Sequence, residues 1–490
     1  MKFVPFHQKI LQWSEQSPDA VCLVSNQAEL TFADLADRVR QWIAWLERQA
    51  IGRGTRVALA FQNSPDAIAL VLALSASGAS HLSLSPTEET TTGQRLIDDC
   101  EIEFLITNAD LSFDNCKTLT PSGTLADRDE ARGATIGQSA PDDLWKFVQT
   151  SGSTSSPKLV LQTQAMEISY HSTYPDWPVD TEFRFLQTIP LHFSYGLRLC
   201  LSVLMAGGTV VLCGTELRRD ALAQLLDDHR ITHISTTPSN AVGLAEIFRS
   251  LQRRPSNLKY VSLAGAIATD VIQAKVKRYL TPNLHNFYGA DEVGYITHAT
   301  PDHLATHPGS IGVPVPGVEV AVVGEDHRDV PIGEVGILRC RGEGFPTHYL
   351  NNPAASDRSF RDGWYYPGDL ASRGPDGEIY YKGRSDDLLN FNGVKIAPVD
   401  IENCLLSHPA VSEAVAFSIR HNFFQDVPMV AVTLVEKVTQ SQLLNFADDK
   451  LRARSPRAAI IVNKIPVMGI GKPDRQALRE IAKQQLGLTS

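Results

Sequence analysis

The chain has 490 residues, 43% hydrophobic and 20% charged, which is the composition of a soluble globular chain with room for two or more packed domains and excludes a disordered one. A formal net charge of −10 argues against nucleic acid or an anionic membrane as bulk partner, since both favour a basic face. Seven scattered cysteines without a C-x-x-C pair suggest neither a disulfide scaffold nor a cysteine-held zinc, and the first residues form no signal peptide, so a reduced, cytoplasmic enzyme without a membrane span is expected.

In chain order, Leu35, Val39, Ile43 and Leu46 recur at helical spacing within residues 30–48, and Gly52 and Gly54 then introduce a strand at 56–60. A helix at 64–76 stops at Gly78, and a further strand leads to Pro86. Strands are predicted at 104–107, 186–189, 209–212, 233–236 and 260–263, with helical stretches between them. That alternation predicts parallel sheets covered by helices, an α/β fold. From about Gly312 the texture changes to short strands, such as 318–323 and 335–340, separated by Gly, Pro and Asp, which predicts a small β subdomain. Beyond the charged turn Ser385-Asp386-Asp387 come a helix at about 400–407, a strand at 411–418 and basic helices. The division is therefore set at 1–384 and 385–490.

Chemistry concentrates in five segments. Thr150-Ser151-Gly152-Ser153-Thr154-Ser155-Ser156-Pro157-Lys158 surrounds one glycine with hydroxyls and ends in a lysine, directly after the apolar run 144–148. It reads as a phosphate-gripping loop leaving a strand, because glycine permits close approach while hydroxyls, N–H groups and the lysine supply donors and charge. A Walker loop is excluded by Pro157 before the lysine and Leu159 after it. Asn286-Phe287-Tyr288-Gly289-Ala290-Asp291-Glu292 reads as a glycine turn after a strand, with an aromatic to stack on a base and Glu292 to hold magnesium. In Pro367-Gly368-Asp369 a carboxylate follows a tight turn, suited to accept from two ribose hydroxyls. Gly383-Arg384-Ser385-Asp386-Asp387 leads to Asn392-Gly393, and Gly469-Ile470-Gly471-Lys472-Pro473-Asp474-Arg475 presents a lone lysine on a flexible loop.

In this order and spacing the segments resemble, essentially end to end, those of the adenylate-forming superfamily of acyl-CoA synthetases, acyl- and aryl-AMP ligases, adenylation domains and firefly luciferases. The resemblance implies a large N-terminal domain, a small mobile α+β C-terminal domain and an active site between them. It also implies roles. Lys158 and the loop of Thr150, Ser151, Gly152, Ser153 and Thr154 would grip the β- and γ-phosphates of ATP, Tyr288 beside Gly289 would stack on adenine, and Gly265 and Ala266 would border it. Glu292 would bind Mg²⁺, Asp369 would hold the ribose hydroxyls, and Arg384 would contact ribose or phosphate. Lys472 would bridge the acid and the α-phosphate, Asp386 would be the hinge, and Gly393 would line the second-step tunnel. His192, Phe193, Tyr195, Gly196, Asn240 and Tyr295 would shape the acid pocket, His192 as a catalytic candidate, although the family's Phe-His order is here His-Phe.

Three departures stand out. Ser155 and Leu159 occupy positions where the family's phosphate loop has glycine, Asp291 replaces a Thr or Ser before Glu292, and Asn390 replaces a common lysine. Exchanging a donor for an acceptor at 291 predicts weaker or more magnesium-dependent ATP binding. Residues 185–197 lack the aspartate that α-amino acid enzymes of this family place there, which favours a fatty or aromatic acid. The chain ends 18 residues after Lys472, so a stand-alone protein is expected, with coenzyme A or the phosphopantetheine of a separate carrier protein as acceptor. The expected function is ATP-dependent activation of a carboxylic acid to an acyl-adenylate, with pyrophosphate released and the acyl group passed to a thiol. A luciferase-like oxidative enzyme and a non-catalytic nucleotide-binding protein are the alternatives.

Overall fold

The computed structural model describes residues 3–486, apart from residues 27, 122–124, 126–130, 132, 133, 135, 138, 151–156, 172–176, 178, 179, 214–218, 393, 422–424 and 469–471. Two sheets form the body of the protein. In the first, the strands Lys117–Leu119, Phe104–Thr107, Arg56–Ala60, Ser80–Ser83 and Leu144–Thr150 lie side by side and parallel, with Lys158–Thr163 closing the edge antiparallel. In the second, Leu284–Ala290, Tyr260–Leu263, His233–Thr236, Arg184–Gln187, Thr209–Leu212 and Val21–Val24 run parallel, flanked by antiparallel strands at both edges.

Side-chain alternation along these strands sets the layers. Val57 and Leu59 of the first sheet share one core with Leu23, Phe185 and Val210 of the second, and that core is filled by the helices Pro65–Ser77 and Ser194–Met205. The neighbouring residues Ala58 and Ala60, and Val24, Leu186 and Val211, face two outer cores under other helices. Pro65–Ser77 is buried from Ala67 to Ala76, as a helix between two sheets must be, and is therefore apolar on every face. The Ser64 hydroxyl caps its start and Gly78 ends it at φ +69°, one residue from the sequence expectation at each end.

Two expectations need correction. The strand placed at 186–189 is Arg184–Gln187, because the Gln187 side chain donates to the carbonyls of Ile189 (2.6 Å) and Gly196 (3.0 Å) and folds the chain over into the next helix. The segment 286–292 is not a turn about Gly289. The strand runs on to Ala290, Gly289 pairs with Tyr295, and the turn begins at Asp291. Glycine is required at 289 because a β-carbon there would lie 2.3 Å from the Gly294 carbonyl oxygen.

A third, antiparallel sheet holds Val318–Val323, Gly336–Gly342, Asp369–Arg373 and Ile379–Arg384. A fourth begins at Leu389–Phe391 and is built on the pair Val411–His421 and Gln425–Leu434. Each face of the fourth sheet has its own core, Ile401, Leu405, Val430 and Leu443 on one side and Phe417, Met429, Ile460 and Leu478 on the other. Among the described residues no helix is long and apolar enough to cross a membrane.

Candidate active site

Parallel strands deliver their carboxyl ends to one edge, where α/β sheets form ligand crevices. At that edge of the second sheet lie His192 and Phe193 after Arg184–Gln187, Asn240 after His233–Thr236, and Gly265 and Ala266 after Tyr260–Leu263. Asn240, Gly265 and Ala266 are exposed. The ring of His192 lies 4.3 Å from that of Phe193, and burial lowers its pKa to about 4, so it is a neutral hydrogen-bonding group at pH 7. Gly196 starts the Ser194–Met205 helix against the Pro190 carbonyl, 2.3 Å from where a β-carbon would sit. Tyr295 donates to the Tyr195 hydroxyl (3.1 Å), which contacts the Ser235 hydroxyl (2.7 Å), and Ser262 also donates to Ser235 (2.7 Å). The expected aromatic wall is thus laced by a line of hydroxyls.

The third sheet meets this edge at Asp369. The Tyr288 hydroxyl donates to Asp369 Oδ2, joining the end of one sheet to the start of another. Gly368, at φ +84°, makes the turn that points Asp369 there. In register opposite it, Arg384 sets Nη1 3.6 Å from Asp369 Oδ1 and grips Asp386 through Nε (2.9 Å) and Nη2 (3.4 Å). Burial pushes the Asp369 carboxyl up to about 6, against the pull of Tyr288 and Arg384. The expected ribose carboxylate, adenine platform, arginine and hinge residue are one connected group.

Glu292 is buried in the turn that begins at Asp291. Its Oε1 accepts from the Tyr349 hydroxyl at 2.8 Å, and its backbone carbonyl accepts from Tyr170 (3.1 Å) and Gln162 (3.4 Å). Burial and the charge of Asp291 raise its pKa, and among the described residues no Lys or Arg pairs with it. A buried carboxylate lacking a cation fits Mg²⁺, a hard ion that takes oxygen ligands. Tyr349 links this carboxylate to the hairpin that carries Lys158, since the Lys158 ammonium lies 4.9 Å from its ring centroid. That hairpin joins two antiparallel strands with Thr150 opposite Lys158.

Behind Glu292 lies a buried charge cluster that sequence reading missed. Lys146 (2.9 Å), His171 (3.3 Å) and Arg198 (3.9 Å) surround Glu167. Burial alone would raise the Glu167 pKa, yet Lys146 and its other partners hold it well below the usual range. Arg198 lies over the Tyr170 ring (4.5 Å), so this cluster supports the tyrosine that holds the Glu292 backbone. Charges inside apolar runs, Lys146 in 144–148 and Arg198 beside Leu197, were the available signal. Tyr349 carried none. Ser151, Gly152, Ser153, Thr154, Gly393 and the Lys472 side chain lie outside the described residues; the Lys472 backbone forms a two-residue strand opposite Met468.

Residues 10–350 match the model of the AMP-binding enzyme family and residues 400–472 that of the AMP-binding enzyme C-terminal domain. The chain is 27% identical over 508 residues to 3-hydroxybenzoate–CoA ligase of Aromatoleum sp. (strain CIB), covering 95% of this chain and 94% of that protein. It is 26% identical to tyrocidine synthase 2 of Brevibacillus parabrevis over 96% of this chain but 14% of that protein. Its fold matches that of o-succinylbenzoate coenzyme A synthetase from Bacillus subtilis, solved with ATP and magnesium ion, at a TM-score of 0.82 and 23% identity over 96% of this chain and 99% of that one. The chain belongs to the AMP-binding enzyme family and carries both its main and its C-terminal domain.

Proposed function

We infer that the chain activates a carboxylic acid with ATP and passes the acyl group to a thiol, as an AMP-forming acid–thiol ligase. The observation that supports this reading is the Tyr288–Asp369 hydrogen bond, which joins the ring proposed to stack on the base to the carboxylate proposed to hold the ribose, with Glu292 four residues after Tyr288. In the first half-reaction a carboxylate oxygen attacks the α-phosphorus, the bond to the bridging oxygen breaks, and pyrophosphate leaves with its electron pair. Two anions meet in that step, so cations must be aimed at the charge that grows between them. Lys158 faces the tail phosphates from the hairpin, and Lys472 serves the acid and the α-phosphate. Magnesium held by Glu292, when bound, neutralises phosphate charge and favours pyrophosphate as a leaving group. In the second half-reaction a thiol sulfur attacks the acyl carbon and AMP departs. The proposed exchange turns the 385–490 domain about Asp386, whose carboxylate Arg384 grips in the present arrangement.

The absence of a carboxylate in residues 185–197 and the wall of Phe193, Tyr195 and Tyr295 support a non-amino, aromatic acid. Hydroxybenzoates are the first acids to test, and coenzyme A the first acceptor. Unpaired cysteines throughout suit a cytoplasmic setting. A screen of aromatic, fatty and amino acids for acid-dependent pyrophosphate release, with and without coenzyme A, tests the reading. If ATP binds and no acid stimulates release, the activity is wrong.

Asp369 makes a pH prediction. Only the ionised carboxylate accepts from both ribose hydroxyls, so nucleoside affinity rises as pH increases through about 6 and is lost below it. Adenosine, which has no phosphate to titrate, should bind with this profile, and Asp369→Asn should bind weakly at every pH. A flat profile in the unmutated protein would remove Asp369 from the ribose site.

Tyr349→Phe keeps the ring under Lys158 and deletes the 2.8 Å hydrogen bond to Glu292. The magnesium concentration for half-maximal activity should rise about tenfold, the effect of losing a group that orients a metal ligand. An unchanged magnesium titration would show that Tyr349 does not orient Glu292.

A further inference from the structure

His307 ends the short helix Pro301–Thr306, while Asp376 and Glu378 sit in the turn between Asp369–Arg373 and Ile379–Arg384. One ligand atom from each lies within 4.8 Å of the others. We propose that His307, Asp376 and Glu378 bind a divalent transition-metal ion of the zinc type, pinning a helix between the last two strands of the second sheet to a turn of the third.

Hydrogen bonding supports this more than proximity does. The Thr306 hydroxyl donates toward the carbonyls of Asp302 (3.0 Å) and His303 (3.3 Å) and lies 2.8 Å from His307 Nδ1, where its lone pair can accept from Nδ1–H. In the neutral tautomer with Nδ1–H, the Nε2 lone pair and Asp376 Oδ2, 3.4 Å apart, can share one metal ion in place of the hydrogen bond they otherwise make. That spacing is about the ligand–ligand edge of a tetrahedron with metal bonds of roughly 2.1 Å. An imidazole whose other nitrogen is fixed by a neighbour is the usual form of a metal-bound histidine.

Electrostatics point the same way. Glu378 is 2% exposed, its oxygens accept from the Asp376 N–H (2.9 Å) and the Tyr380 hydroxyl (3.3 Å), and among the described residues no Lys or Arg pairs with it or with Asp376. Two carboxylates, one buried, thus face the imidazoles of His307 and His303 without a Lys or Arg among the described residues, and a buried carboxylate favours a counter-ion. His303 stacks on His307 at 4.7 Å and shields that side. A nitrogen with two carboxylate oxygens suits Zn²⁺ better than Mg²⁺, which prefers all-oxygen sites.

The test uses the full chain stripped with chelator and titrated with ZnCl₂ alone by calorimetry, with Co²⁺ visible absorption as a second readout. One equivalent should bind saturably, raise Tm and give tetrahedral Co²⁺ bands. His307→Ala and Asp376→Asn should each weaken binding at least about tenfold. The Asp376 side chain is 76% exposed, so its variant should fold normally. Absence of saturable uptake, or equal affinity in both variants, would overturn the site and leave the nucleotide reading untouched.

Discussion

Lys472→Ala is expected to slow adenylate formation by about 10²- to 10³-fold, the usual cost of removing one group aimed at transition-state charge. Thioester formation from supplied acyl-adenylate and coenzyme A should be nearly unchanged. The asymmetry follows from where charge develops. In the first half-reaction negative charge builds between the acid and the α-phosphorus, where the lysine is needed, whereas in the second a thiol attacks a preformed mixed anhydride. Acid-dependent pyrophosphate exchange measures the first step and single-turnover thioester formation the second. Equal loss in both would mean that Lys472 serves the fold or both chemistries alike, and the two-face reading of the small domain would fail.

Glu292→Gln is expected to lower the adenylation rate by about 10²-fold and to flatten its dependence on magnesium. The substitution keeps the side chain's size and an oxygen for Tyr349 while removing the charge. Stability should move the other way. Burial and Asp291 already disfavour the ionised carboxyl, so the neutral amide should leave Tm unchanged or raise it. Rate loss without loss of Tm separates function from folding. A variant within about threefold of the native rate at every magnesium concentration would exclude Glu292 as the metal ligand.

Much of the scaffold is legible in the sequence. Four of the five βα strands named from pattern, 104–107, 209–212, 233–236 and 260–263, coincide with observed strands, because short β-branched runs bounded by turn residues have few other solutions. The fifth slipped where a Gln187 side chain captured two later carbonyls, a contact no local pattern encodes. Gly289 was misread as a turn because glycine signals both chain reversal and close backbone approach, and only the neighbouring strand reveals which applies.

The site divides along the same line. By itself the sequence determined which candidate groups are available for the proposed roles: hydroxyls and Lys158 toward phosphate, Tyr288, Asp369 and Arg384 toward nucleoside, Glu292 toward metal, and Lys472 toward the reacting acid. Spacing along the chain carries such motifs because each is short and local. Tertiary structure alone decided that Tyr288 reaches across 81 residues to Asp369, that Tyr349 stands between Lys158 and Glu292, and that Glu167 is buried among Lys146, His171 and Arg198. Burial turns an ordinary carboxylate into one whose charge must be met, and burial depends on what the rest of the chain packs over it.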